Sequence, residues 1–202
     1  MRKGPNKGLI VLVSIAIVVL IVVLWFMGSY NSLITLSESV DGSWAQVENQ
    51  YQRRADLIPN LINTVQGAAD FEKETQTQVT ALRTKALGAK AAWDGAKTID
   101  EKIAAAKQVD GVVAGFSGLN INVEKYPQLR ATENFQTFQA QLEGTENRVS
   151  VERKRYNDVV RAYNIKTKRI PTVFIARMFG FVEKTYFEIE EGVEGVPEVA
   201  FT

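Results

Sequence analysis

Residues 44–65 read WAQVENQYQRRADLIPNLINTV and look like one buried stripe of a helix. Their apolar residues follow one another three and four positions apart, which is the spacing of a heptad seam. One seam position is Arg54, and Pro59 follows it. The stretch therefore predicts a long helix that packs along one face and carries a charged residue in the middle of that face.

The same spacing continues on both sides, for about five heptads. The seam positions are Tyr30, Leu33, Ser37, Val40, Trp44, Val47, Tyr51, Arg54, Ile58, Leu61 and Val65. Nothing near Gly28 ends a helix firmly, so we expect this helix to continue from the apolar segment before it. Gly67 and Asp70 predict the end of this helix and the N-cap of the next one.

The apolar segment Leu9–Met27 has no charged residue, and Ser14 is its only polar one. Its length is close to the ~20 residues that a helix needs to cross a bilayer. A cleaved signal peptide would have a shorter apolar region, about 7–15 residues, and a small-residue cleavage site. The segment therefore predicts an uncleaved signal-anchor.

Basic residues lie on one side of the anchor only. Arg2, Lys3 and Lys7 precede it, and the next basic residue is Arg53. The positive-inside rule then predicts a single-pass cell membrane protein with a cytoplasmic N-terminus and an extracytoplasmic body.

Three more helices are predicted, from Phe71 to about Trp93, from Ile99 to Phe116 and from about Leu129 to Lys168. Thr98 and Glu101 have capping-box spacing before the second of these, and residues 117–128 read as a loop. The last helix repeats the seam at Phe135, Phe138, Leu142, Thr145, Val149, Glu152, Tyr156, Val159 and Tyr163. We expect an all-α protein in which a transmembrane helix precedes an antiparallel four-helix bundle with long helices.

This interpretation divides the chain into four parts. Residues 1–8 are a basic cytoplasmic tail and residues 9–27 the anchor. Residues 28–181 form the bundle with a short C-terminal helix, and residues 182–202 an acidic, flexible tail.

The composition removes most catalytic chemistry. The 202 residues include no cysteine and no histidine, and the net charge is +1. The usual ligands of zinc, haem and iron–sulfur clusters are therefore absent, as are thiol nucleophiles. The body is nearly balanced in charge and shows no nucleic-acid footprint. We expect no cofactor, no metal, no nucleic acid, no small-molecule substrate and no enzymatic activity.

Polar seam residues admit a structural and a functional interpretation. A single polar seam residue can fix helix register, and Glu143, Glu146 or Glu152 could pair with Arg54. Pro59 removes the hydrogen bond to the Ala55 carbonyl and predicts a bend there. The alternative is a bundle that binds a lipid or small ligand in a polar pocket near Arg54 and Pro59.

The C-terminal segment begins a short apolar helix at Pro171, and its sequence is VFIARMFGF. Its aromatic residues, with Phe174 and Phe181 among them, either cover the end of the bundle or form a surface for a partner or the outer leaflet. The acidic tail that follows favours a protein partner over an anionic bilayer.

Three stretches resemble the LemA family of bacterial membrane-anchored proteins: WAQVENQYQRRADLIPNLINTVQG, NFQTFQAQLEGTENRVSVERKRYNDVVRAYN and IPTVFIARMFGF. The resemblance implies an N-terminal membrane helix and a bundle of four long helices, and it brings no catalytic residue. Similar proteins are linked to membrane-compartment formation in magnetic bacteria. Ile170 replaces a phenylalanine common in the family, and residues 87–114 are the least similar part.

The resemblance also carries over polar motif residues, which together with the seam and C-terminal residues give the candidates for structural or interaction roles. They are Arg53, Arg54, Asp56, Pro59, Asn60, Thr145, Glu146, Asn147, Arg148, Glu152, Tyr156, Asn157, Phe174 and Phe181. The motif residues that the resemblance carries over also include Tyr163 and Asn164. The function we expect is a membrane-anchored scaffold or adaptor in the cell envelope. It would act with an envelope protein partner or by self-association.

Overall fold

The structure is a computed structural model, and it describes residues 7–67, 73–118 and 133–187. These residues form five helices, α1 (Lys7–Gly67), α2 (Lys73–Gly95), α3 (Ile99–Gly118), α4 (Glu133–Lys168) and α5 (Thr172–Met178). The described ranges contain no strand. The all-helical prediction is therefore confirmed.

Helix α1 is continuous over 61 residues, so the predicted join between the apolar segment and the seam is confirmed. The helix runs through Gly28, where a Cβ would meet no atom within 4 Å, and it also contains Pro59. The predicted N-cap at Asp70, the predicted helix start at Phe71 and most of the predicted loop at 117–128 lie outside the described residues.

The first third of α1 is apolar on every side. Its large side chains from Leu9 to Leu24 are 46–67% exposed in the structure. The Ser14 hydroxyl donates to the Ile10 carbonyl oxygen at 2.9 Å, so the one polar side chain is satisfied within the helix. Among the described helices, α1 alone is long and apolar enough to cross a membrane, judged by length and composition.

The chain divides into two compact units, and in the described ranges the first contains residues 7–51 and 148–184. Here the seam of α1 packs against α4. The rings of Trp44 and Tyr156 lie 5.3 Å apart, and the guanidinium of Arg153 lies 5.2 Å from the ring centre of Tyr51. Burial lowers the pKa of Arg153 to about 10, so this side chain keeps its charge at neutral pH.

Helix α5 belongs to the first unit and packs on α1. Leu33, Ile175 and Ala176 form a buried cluster, and Tyr30 and Phe181 pack against it. The helix ends with Gly180 at φ +73°, and the Phe181 N–H donates to the Ala176 carbonyl at 2.9 Å. This is a Schellman ending, for which glycine suits the left-handed position. It turns the chain back so that Phe181 reaches the cluster.

The second unit contains the described residues of 52–147 together with residues 185–187. Its α2 and α3 pack closely, so that a Cβ on Gly115 would lie 2.9 Å from a methyl carbon of Leu82. The predicted capping box starts α3: the Glu101 N–H donates to Thr98 Oγ1 at 3.2 Å, and Glu101 Oε2 accepts from the Thr98 N–H at 3.1 Å. The box fixes the turn between the two helices.

Most of the predicted seam residues whose burial the structure describes are buried, and Tyr30, Ser37, Leu142 and Glu152 are half-buried. In α1 the buried seam residues are Leu33, Val40, Trp44, Val47, Tyr51, Arg54 and Ile58, and in α4 they are Thr145, Val149, Tyr156 and Tyr163. Val160 is buried in place of the predicted Val159, which is half-buried. Between Tyr156 and Tyr163 the spacing is thus four then three, because both spacings keep residues on the same helix face.

Candidate functional site

Arg54 occupies the centre of the second unit. Its side chain is 1% exposed, and its guanidinium binds two carboxylates on two other helices. Nη1 donates to Asp110 Oδ1 of α3 at 2.5 Å, and Nη2 donates to Glu146 Oε2 of α4. We call Arg54, Asp110 and Glu146 the arginine cluster. It connects three helices through one side chain.

The two carboxylates differ from the arginine in their access to water. The Asp110 side chain is 30% exposed and the Glu146 side chain 62% exposed. Moving a guanidinium out of water costs several kcal/mol unless charge and hydrogen bonds compensate it. The buried arginine therefore needs the carboxylates to compensate its charge, whereas water can hydrate the partly exposed carboxylates without it.

A second set of polar contacts connects α1 to α2. The indole N–H of Trp93, whose side chain is fully buried, donates to Gln52 Oε1 at 2.8 Å. Lys90 Nζ lies 2.9 Å from Asp56 Oδ1. The hydrogen bond from Lys90 lowers the pKa of the Asp56 carboxyl. These contacts fix the position of α2 along α1.

Acid should weaken the second unit through Asp56 and Glu101. The pKa of Glu101 is lowered by its hydrogen bonds from the backbone N–H groups of Lys97 and Thr98. Both carboxyls bind protons more weakly in the folded than in the unfolded chain. Their stabilising effect is therefore complete above the unfolded pKa of about 4 and is lost as pH falls through the folded values.

We expect the free energy of unfolding to decrease between pH 5 and pH 2. The variant Asp56→Asn with Glu101→Gln should be less stable at neutral pH and should show a smaller decrease. Urea unfolding in detergent, followed by circular dichroism, measures the free energy of unfolding of the full-length chain and of the variant at each pH. Equal decreases in the variant and the unmodified chain would contradict the assignment.

Other sequence candidates lie in varied surroundings. Arg53, Asn60, Asn147 and Arg148 are exposed, whereas Pro59, Glu152 and Asn157 are half-buried. Thr145 is buried and donates to the Leu142 carbonyl at 2.7 Å. Phe174 is exposed, and Phe181 is half-buried on the α5 cluster. The structure thus brings Arg54 together with Glu146.

The sequence alternative places a ligand pocket near Arg54 and Pro59. Asn60 Nδ2 lies 3.5 Å from the Asp56 carbonyl oxygen, not from the Ala55 oxygen that the proline leaves without its usual donor. The Arg54 guanidinium is buried at its seam position, and two depressions in the described ranges lie elsewhere. One, of about 520 Å³, lies beside Gly95 and Ala104, and another lies along α4 beside Val151.

Sequence reasoning missed Asp110 and Lys90. Asp110 is the only acidic residue in the apolar run of α3 from Ile103 to Phe116, and it lies beside the seam residue Val109. This position beside a seam residue is the feature from which the pairing of Asp110 with Arg54 could have been predicted. No sequence pattern predicted the ion pair of Lys90 with Asp56, because this pairing depends on how far α2 is shifted along α1.

The end of α4 forms a further site in the first unit. Buried Asn164 donates from Nδ2 to the Lys184 carbonyl at 2.9 Å and accepts the Lys184 N–H at Oδ1, also at 2.9 Å. The Tyr163 hydroxyl donates to the Val182 carbonyl at 2.9 Å. Residues 182–184, assigned to the tail by the sequence analysis, are therefore bound to α4 through their backbone.

Replacing Asn164 with leucine should release this segment. The change removes two hydrogen bonds and leaves backbone groups without partners, which costs about 1–3 kcal/mol. Hydrogen exchange of the full-length chain, read by mass spectrometry, should show faster exchange in residues 181–187. The matched control is Asn147→Leu, at an exposed asparagine of the same helix. Unchanged exchange at Lys184 in the Asn164 variant would contradict the assignment.

The arrangement can hold helices together. Within residues 7–67, 73–118 and 133–187, no three His, Cys, Asp or Glu side chains are grouped as a metal site requires. The arginine cluster pairs opposite charges across helices. Its chemistry is that of an ionic connection between helices.

Comparison with known proteins identifies the family. The chain is 24% identical to magnetosome protein MamQ 2 of Paramagnetospirillum magneticum over 92% of its length and 74% of the relative's. It is 21% identical to protein LemA of Metamycoplasma hominis, over 82% of this chain and 72% of that protein. A sequence model of the LemA family matches residues 43–201, which is well over half of the chain. The chain therefore belongs to the LemA family.

Proposed function

We propose that this protein is a non-enzymatic, membrane-anchored scaffold or adaptor of the bacterial cell envelope. The observation that carries the proposal is the continuity of α1, which contains both the exposed apolar segment and the buried seam. A helix that is apolar all round needs lipid or protein around it. In this proposal residues 9–27 cross the membrane and the same helix enters the folded body.

The body is proposed to be an antiparallel four-helix bundle formed by residues 28–181. In the first unit, Trp44 of α1 pairs with Tyr156 of α4, and the later Tyr51 pairs with the earlier Arg153, an order that supports antiparallel packing. In the second unit, contacts of α1 with each of α2, α3 and α4 support the four-helix arrangement.

The arginine cluster is proposed to fix the register of these helices. A buried guanidinium satisfied by carboxylates on two neighbouring helices penalises any sliding of one helix along another. A scaffold needs a body of defined shape, so this role fits the proposed function. The filled seam position gives the ligand-binding alternative no support.

The basic N-terminal residues support a cytoplasmic N-terminus and a body outside the membrane. Relatives that are named magnetosome proteins support a location at a membrane. Arg53 in the second unit and Arg148 in the first are two separate candidate positions for a partner contact, because each belongs to a family-like stretch and is exposed. The partner would be an envelope protein or a second copy of this chain.

Site-specific photo-crosslinking in native membranes tests the proposal. A photoreactive residue at Arg53 or Arg148 should capture one discrete protein, identified by mass spectrometry. The control position is Lys85, an exposed residue of α2 in the less family-like part of the chain. Capture from Lys85 equal to that from Arg53 and from Arg148 would contradict a specific contact at either position. Turnover of a substrate that requires Arg54 or Glu146 would contradict a non-enzymatic role.

A further inference from the structure

Helix α5 lies beside the end of the apolar segment of α1. The ring of Phe179 lies 6.0 Å from that of Phe26 and 4.6 Å from that of Tyr30. The ring of Phe181 lies 6.0 Å from that of Tyr30. The apolar segment ends at Met27, between these two α1 residues, so α5 is held within about one helical turn of the place where the segment ends.

The outer face of α5 is apolar as well. Thr172, Ile175 and Ala176 form the buried face. Phe174 and Met178 are four residues apart on the opposite side and are 64% and 70% exposed. A surface helix of a soluble body carries polar residues on that side. Water is therefore an unsuitable neighbour for this face.

Further apolar side chains flank the helix. Ile170, four residues before Phe174, is 76% exposed, and Val182, just after the Schellman turn, is 69% exposed. Large apolar surfaces exposed next to polar residues mark sites of protein or membrane interaction. The position beside the apolar segment distinguishes these two possibilities, since lipid that surrounds residues 9–27 would also reach α5.

The charges near this face suit phospholipid. Arg169, three residues before α5, and Arg177, in its last turn, are both exposed. Two acidic groups of this unit have cationic partners, since Glu183 Oε1 lies 2.6 Å from Lys168 Nζ and Asp41 Oδ1 lies 3.5 Å from Lys184 Nζ. Interfacial helices combine an apolar face in the acyl boundary with arginines that reach phosphate groups.

We propose that α5 is a second membrane contact, which lies in the bilayer interface beside the end of the anchor. Phe174 and Met178 enter the acyl boundary, Ile170 and Val182 extend the contact, and Arg169 and Arg177 bind lipid phosphates. The inference rests on the proposed membrane crossing by residues 9–27. It replaces the protein partner that the sequence favours for this segment, because the contacts with Phe26 and Tyr30 place α5 at the end of the anchor.

The absence of cysteine makes the test direct, because each single-cysteine variant of the full-length chain carries one label. The variants Phe174→Cys and Met178→Cys report on α5, and Ile17→Cys reports on the anchor. The matched control is Val151→Cys, at an apolar residue of α4 that is 56% exposed. Each purified protein is labelled with an environment-sensitive fluorophore and reconstituted at low density in phosphatidylethanolamine–phosphatidylglycerol vesicles. Quenchers are placed either on the acyl chains or in the water.

We expect labels at 174 and 178 to be quenched from the acyl chains several-fold more than the label at 151, at a depth of about 5–10 Å below the phosphates. If the labels at 174 and 178 are quenched from the acyl chains no more than the label at 151, while the label at 17 is quenched, the inference about α5 is wrong. The proposed membrane crossing by residues 9–27 is then still supported. If the label at 17 also matches 151, the proposed anchor itself is wrong. Labels at 174 and 178 that neither quencher reaches would indicate a second copy of the chain and would also overturn the proposal.

Discussion

Replacing Asp110 with asparagine and Glu146 with glutamine together should destabilise the folded chain by about 3–5 kcal/mol, because a buried charge loses its compensation. Arg54 is 1% exposed and cannot reach water without opening the contacts of α1 with α3 and α4. Each single substitution leaves one carboxylate in place and should cost less than half of the double one. The cost is therefore non-additive, as expected for groups that share one partner.

Replacing Arg54 with methionine should have a much smaller effect. The carboxylates it leaves behind are partly exposed and can be hydrated. Apolar replacement of buried ionic groups is often neutral or stabilising. Adding Arg54→Met to the double variant should restore most of the lost stability, since no buried charge remains.

Urea unfolding of the full-length variants in detergent, followed by circular dichroism, measures these differences. Sedimentation velocity reports whether Arg54→Met changes the oligomeric state, as expected if the cluster fixes helix register. A double variant as stable as the unmodified chain, or an Arg54→Met variant that unfolds, would contradict the interpretation of the cluster.

Replacing Trp93 with alanine should have the second large effect, a loss of about 3–5 kcal/mol. The side chain is fully buried, its indole N–H binds Gln52, and Lys102 Nζ lies 4.5 Å from the ring centre. Alanine would leave a cavity between α1 and α2 and remove the hydrogen bond. Trp93→Phe keeps most of the volume and should cost about 1 kcal/mol for the lost hydrogen bond.

The matched control is Trp25→Ala. Trp25 lies in the apolar segment of α1 and is 41% exposed. Its replacement should leave the urea midpoint of the body unchanged. A Trp93→Ala midpoint equal to that of Trp25→Ala would show that the indole does not hold α2 in place.

Much of the helical framework could be predicted from local sequence. The three-and-four spacing around Trp44 fixed which face of α1 is buried, and Thr98 with Glu101 marked the start of α3. These features depend on residues close together in the chain. The seam residue between Tyr156 and Tyr163 was predicted to be Val159, and the buried one is Val160. A spacing of four then three fits the same helix face as three then four, so local sequence did not separate the two.

The missed contacts share a different cause. Asp110 meets Arg54, and Lys90 meets Asp56, only through the relative shift of helices, which no local pattern encodes. The binding of Lys184 by Asn164 depends on the turn at Gly180 that brings the chain back to α4. The same turn at Gly180 accompanies the packing of Phe179 beside Phe26. Because of this position we propose lipid as the neighbour of Phe174, where the sequence favoured a protein partner.

We propose above all that residues 9–27 anchor the chain in the membrane and leave its body outside. The most direct measurement treats intact spheroplasts with an external protease and then extracts the membranes with alkaline carbonate. We predict digestion of the body, with a short N-terminal fragment that remains in the membrane pellet after carbonate treatment. Release of the undigested chain by carbonate would contradict the anchor. Protection of the body in intact spheroplasts, with digestion only after lysis, would contradict the orientation.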